Sequence, residues 1–244
     1  MQNNIEALID ASNDVIREAE MHNGIARDST LQKKTLERLT SELEVVALWK
    51  SEVILEGNED LANVALGLEC VMQFLLNEIE MWLFLKDDEP DKGWECLIKA
   101  QRFVTDAVRS HVGFKHVASH AERLDMIERL VFPPQVFTSV GMIVQSRLCS
   151  ICGKDYNECN HLRGYPYMGQ ICYTIITKIE EVDHIAFVEN PANKLCRVTH
   201  FNVPGGVRNR MTWKVEPQST EEHDQSKAGG LKAQGIIYST DDRN

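Results

Sequence analysis

Positive charge is scarce in this chain, and the shortage narrows what it can bind. Its 244 residues carry 26 Lys and Arg against 37 Asp and Glu, a net charge of −11. A surface of this sign repels a phosphate backbone unless its cations are gathered in one place. The densest basic stretches, Arg102–Lys115 and Arg208–Lys214, are short, so nucleic acid is not the expected partner. Long apolar runs are also missing. The most hydrophobic stretch, Met72–Leu85, is interrupted by Asn77, Glu78 and Glu80 and falls short of the roughly 20 residues that span a bilayer. A buried helix is expected there, not a membrane segment. The opening MQNNIEALID has neither a basic start nor an apolar signal core. A cytoplasmic chain with reduced thiols is therefore expected.

Familiar catalytic signatures are absent as well. No Gly-rich loop leads into Lys-Ser or Lys-Thr, and there is no dinucleotide fingerprint and no His-Glu-x-x-His. Pro204-Gly205-Gly206 is a Gly turn without a strand–helix context. Trp49, Trp82, Trp94 and Trp213 have no basic stripe beside them, so they read as packing residues, not as a base-stacking platform.

What is present divides into two grammars. The first is helical. Ile5, Leu8, Ile9, Val15, Ile16 and Ala19 fall on one face of a helix over Asn4–His22. Asn23-Gly24 stops it, and Ser29-Thr30 offers the next N-cap. From Leu31 to Leu55, Leu36, Leu39, Leu43, Val46 and Val53 form a heptad-like seam broken by Lys50. That seam fits a long bundle helix or a coiled-coil pairing with another chain. Asn58-Glu59-Asp60 caps a helix to Leu85 that is apolar nearly all round, as suits the middle of a bundle. Pro90 opens a fourth helix, and Ser119–Glu122 resembles a capping box for a fifth. Phe132-Pro133-Pro134 ends the helical region.

Beyond it the residues are β-branched and aromatic. Gln135–Val144, Gln170–Ile179, Val182–Val188 and Leu195–Phe201 read as strands, with a turn at Asn190–Asn193. After Pro217 the chain turns polar, and a flexible tail is expected, although Gly235–Tyr238 is apolar enough to dock. The expected class is α+β. It comprises a helical bundle over residues 1–132, a small β-rich domain over 133–216 and a tail over 217–244.

The densest chemistry is CSICGKDYNECNH. Cys149, Cys152, Cys159 and His161 lie within thirteen residues. Two residues between Cys149 and Cys152 bring both sulfurs to one point, and Gly153 permits the tight turn. Soft thiolate and imidazole donors in this pattern are how a chain collects zinc. A structural Zn2+ is expected, replacing core that a small domain cannot build alone. One residue between Cys159 and His161 is tight, so Cys172, Cys196 or His200 stays open as a substitute ligand. Cys70 and Cys96 read as free thiols.

Two resemblances follow from local residues. Thr138-Ser139-Val140-Gly141-Met142, the Cys-rich knuckle, and Val182–Asn193 ending in Asn-Pro-Ala-Asn resemble the distal part of tailed-phage prohead proteases. The resemblance covers about a quarter of the chain. It implies Ser139 as nucleophile, served by a His on an upstream strand of the same barrel. Here the upstream region reads as helical, so the expectation is a shared β module without protease chemistry. Arg109 and His116, with six residues between them beside a helical bundle, resemble the Arg/His pair of HEPN ribonucleases. The competing reading is a basic helix end that complements the helix dipole. The expected function is non-enzymatic: an assembly or interaction factor whose helical domain binds a protein partner or another copy of itself. A nucleic-acid adaptor using the knuckle with Arg208, Arg210 and Lys214 is the remaining alternative.

Overall fold

In the computed structural model the described residues are 2–217 and 231–234, with side chains described from residue 5. Gly235–Tyr238 and most of the expected tail lie outside them. Five helices come first: α1 (Gln2–His22), α2 (Ser29–Leu55), α3 (Glu59–Lys86), α4 (Pro90–Ser110) and α5 (Ala118–Val131). Eight strands follow: β1 (Phe137–Cys149), β2 (Pro166–Tyr167), β3 (Gln170–Ile171), β4 (Thr174–Val188), β5 (Val198–Val203), β6 (Gly206–Asn209), β7 (Val215–Glu216) and β8 (Leu231–Ala233). The α+β class stands.

The helix ends have local causes. Asp28, one residue earlier than the expected Ser29, caps α2. Its Oδ1 accepts from the Thr30 and Leu31 amides at 2.8 and 3.1 Å, and its charge suits the positive end of the helix. Gly57 ends α2 with φ +73°. The Asn58 amide reaches back to Val53 O and the Gly57 amide to Ile54 O, each at 3.0 Å, which is a Schellman closure. Asn58 then caps α3 through the Leu61 amide at 3.1 Å. The capping box expected at Ser119 does not form. A 3-10 helix over Val112–Val117 runs straight into α5, and the Ser119 hydroxyl donates back to His116 O. The break from α4 lies instead at His111, which is extended.

The chain divides into two compact units, Met1–Glu128 with Arg147–Thr177, and Arg129–Ser146 with Lys178–Asn244. This departs from a boundary at residue 132. The segment carrying the Cys/His cluster belongs with the helices, not with the later strands.

In the helical unit α3 is the central element, packed against α1, α2, α4 and the 3-10 helix. Met72, Phe74, Leu75, Ile79 and Met81 are all buried, so its all-round apolarity is used within the chain. Every seventh residue of the α2 seam, Leu39, Val46 and Val53, is buried too. Lys50, which interrupts the seam, forms an ion pair with Glu69 of α3. The heptad pattern therefore serves an intrachain bundle. Glu78 of α3 is fully buried and meets both terminal nitrogens of Arg123 on α5. Burial raises its carboxyl pKa, and the Arg123 charge and the Asn23 side chain pull it back.

The strand unit holds an antiparallel sheet in the order β7-β6-β5-β8. Pro204-Gly205 is the β5–β6 turn. Val203 pairs with Gly206 across it, and Gly205 has φ +95°, the left-handed position that a Pro-Gly turn requires. β8 was not expected, since it lies in the segment read as tail. β1 and β4 form a separate two-stranded ribbon. Gln170–Ile179 and Val182–Val188 are not two strands split at Glu180-Glu181. After the short β3, one strand runs from Thr174 to Val188, because no Gly or Pro interrupts it and the acidic pair points into solvent.

Candidate metal centre

The cluster is built by a turn at the end of β1. The Cys149 amide donates to Lys154 O and the Gly153 amide to Cys149 O, both at 2.9 Å. Gly153 takes φ +69°, and Leu148 bridges to Asp155. This loop turns Cys149 and Cys152 toward each other. The Asp155 carboxylate accepts from the Asn157 amide at 2.9 Å, starting a 3-10 turn over Tyr156–Glu158 that returns the chain to Cys159. The donor atoms of Cys149, Cys152, Cys159 and His161 all lie within 4.8 Å of one another. These four residues can hold a metal ion.

Two further features fit a cation at this point. His161 Nδ1 is buried without a hydrogen-bond partner among the described residues, while its ring packs edge-on against Tyr167 at 4.6 Å. A buried ring nitrogen left unsatisfied is costly, and a metal bond would satisfy it. The thiols also perturb one another. Burial pushes the Cys149 thiol up, but the Cys152 and Ile151 amides, with Cys159 and Cys152 thiols, outweigh it and hold it at about 6. Burial raises Cys159, and so do the neighbouring Cys149 and Cys152 charges. Thiolates crowded in this way repel each other unless a cation sits among them, and a bound metal reverses the balance.

The knuckle is anchored to the helices. β2 and β3 form a hairpin with a turn at Met168-Gly169, where both residues have positive φ, 45° and 74°, as a tight two-residue loop demands. At its tip the Gly169 amide donates to Asn63 Oδ1 at 2.9 Å and the Met168 amide to Glu59 Oε1 at 3.3 Å. A side chain on Gly169 would meet Ala62 O at 3.1 Å. The first turn of α3 thus holds the hairpin. Tyr167 and Tyr156 hydroxyls accept from the Leu162 and Arg163 amides at 2.9 and 3.0 Å, shaping the loop after His161. Neither tyrosine nor the hairpin was expected from the sequence; the signal was the Met-Gly pair between short β-prone runs.

Of the other candidate residues, Cys172 joins the cluster. Cys172 Sγ lies 3.8 Å from Cys149 Sγ. Cys196 and His200 belong to the strand unit, where His200 Nδ1 meets Thr199 Oγ1 and Nε2 faces Asn209. Cys70 and Cys96 are buried on α3 and α4, and burial pushes the Cys96 thiol up to about 12. Arg109 ends α4 and lies against Gly164 of the knuckle loop. His116 sits on the 3-10 helix with Nδ1 2.9 Å from Gly113 O, so the pair does not share a helix. Ser139 is half-buried on β1. Two residues on, the His184 ring rests against Gly141, and its Nδ1 lies 2.9 Å from Asp183. Arg208 stacks over Trp213 at 5.9 Å, and Arg210 donates to Pro134 O at 3.0 Å.

Comparison with family models, with curated proteins and with solved structures finds no match to this chain. Among the described residues no helix is long and apolar enough to cross a membrane.

Proposed function

We propose that this is a non-enzymatic interaction protein whose helical unit is stapled by a structural zinc ion. The observation that carries the reading is the donor set. Three cysteines and one histidine converge within 4.8 Å, a soft N/S shell suited to tetrahedral zinc and complete without water or substrate. Such a site folds a segment and leaves no open position for chemistry. The metal pins the loop between β1 and β2, and the hairpin after it grips α3. The surface offered to a partner is the outer face of α2, where Val45, Leu48 and Leu55 are 46%, 69% and 88% exposed. The likeness of residues 137–198 to prohead proteases is read as a shared β module in which Ser139 is not a nucleophile.

Native mass spectrometry before and after a strong chelator tests both halves. One zinc per chain in a defined oligomer is expected, and Leu48→Glu should reduce the oligomer while keeping the zinc. A metal-free monomer would defeat the reading.

A further inference from the structure

We infer that Cys172 is a fifth donor to the metal, sharing the fourth coordination position with His161. The inference rests on the zinc reading above and goes beyond it, because a site with five donors for four positions behaves differently from a closed one.

Cys172 is placed by backbone contacts independent of its sulfur. Its amide donates to Tyr165 O and its carbonyl accepts from the Gly164 amide, both at 2.8 Å. The next residue is tied to the cysteine turn twice: the Ser150 amide donates to Tyr173 O at 3.0 Å, and the Tyr173 amide donates to Ser150 Oγ at 2.9 Å. Three main-chain hydrogen bonds and one to the Ser150 hydroxyl thus hold the Cys172 sulfur beside the Cys149–Cys152 turn. Both Cys149 and Cys172 are 1% exposed, and their sulfurs stand 3.8 Å apart. Two thiolates on one tetrahedral zinc, with bonds of about 2.3 Å, are separated by about 3.8 Å.

His161 has an equal claim, with its buried Nδ1 lacking a partner among the described residues. Zinc takes four ligands in such sites. Cys149, Cys152 and Cys159 fill three positions, and either His161 or Cys172 completes the shell. When Cys172 binds, its thiol proton passes to solvent and His161 leaves as a neutral imidazole. When His161 binds, Cys172 takes a proton back. Each residue therefore backs the other.

The test is zinc affinity of the full chain by chelator competition, for wild type, His161→Gln, Cys172→Ser and the double variant. Each single variant should keep one zinc with modest loss, and the double variant should lose more than the product of the single effects. X-ray absorption at the zinc edge should give an average sulfur count between three and four in wild type. His161→Gln should move it to four sulfurs, and Cys172→Ser to three sulfurs with one nitrogen. If one single variant loses zinc as completely as the double while the other is silent, the sharing is overturned. An integral shell in wild type overturns it too and needs no variant to fold. A zinc-free wild type would instead bring down the zinc reading itself.

Discussion

Replacing Arg123 by Met removes the cation that meets the Glu78 carboxylate, and the consequence can be worked through. Glu78 is fully buried, whereas the Arg123 side chain is 38% exposed, so the variant loses little packing. A buried carboxylate without its partner is destabilising by about 3–5 kcal/mol. Its escape is to take up a proton. In the unfolded chain a glutamate releases its proton near pH 4.3, so holding it protonated costs about 1.4 kcal/mol for each pH unit above that value. That limits the loss to about 3.7 kcal/mol at pH 7 and about 1 kcal/mol at pH 5. The sign follows from burial, which raises the Glu78 pKa in the folded state. The protonated form is favoured by folding, so stability of the variant falls as pH rises from the unfolded value toward the folded one. Burial, and after it the Arg123 charge, lower the His120 pKa, so His120 also responds to the substitution, and the comparison is made with His120→Gln in every protein to remove its titration from the difference. Urea unfolding of wild type and Arg123→Met at pH 5, 6 and 7 measures the deficit. The double variant Glu78→Gln/Arg123→Met should show a smaller deficit that does not change with pH. A deficit in Arg123→Met that is flat across this range, or below about 1 kcal/mol at pH 7, would refute the argument.

If the cluster holds zinc as proposed, Cys152→Ser should release it and free the β2–β3 hairpin, read as faster amide exchange at Met168 and Gly169 with the helical signal largely kept. Gly169→Ala adds a side chain at positive φ against Ala62 O, and should lower stability by about 1–3 kcal/mol in thermal unfolding; an unchanged midpoint would contradict the docked hairpin. Phe74 is 1% exposed and its ring lies 4.9 Å from His120, so Phe74→Ala should cost about 3–5 kcal/mol. Ser139→Ala should leave both fold and function intact; loss of function in a folded protein would count against a non-enzymatic role.

The helical half was legible because its signals are local. The 3.6-residue period, Asn58, and Pro90 at the start of α4 act within a few residues of themselves. The errors there were small and electrostatic: Asp28 outcompetes Ser29 as a cap because a carboxylate answers two amides at a positive helix end. The strands were harder. In sequence β4 reads as two strands because Glu180-Glu181 resembles a loop, yet in a solvated ribbon neither face must alternate, so the acidic pair sits in a continuous strand. Spacing also shows which residues converge in the Cys/His cluster. It could not reveal what the knuckle rests on, since Gly169 and Asn63 are 106 residues apart. Periodicity carries no information about such a pair, so the sequence groups the knuckle with the strands, whereas it belongs to the helical unit.

The same long separation has a consequence in time. During synthesis α3 leaves the ribosome well before the hairpin that sits on its first turn. From Glu128 to Thr177, the residue that completes this unit, 49 more residues must be added, which takes about 2–10 s at about 5–20 residues per second. For those seconds the nascent bundle exposes Asn63 and the α3 start with nothing on them. Translation pauses or chaperone contacts in that interval would act on an unfinished bundle, and metal supply would matter only after it closes.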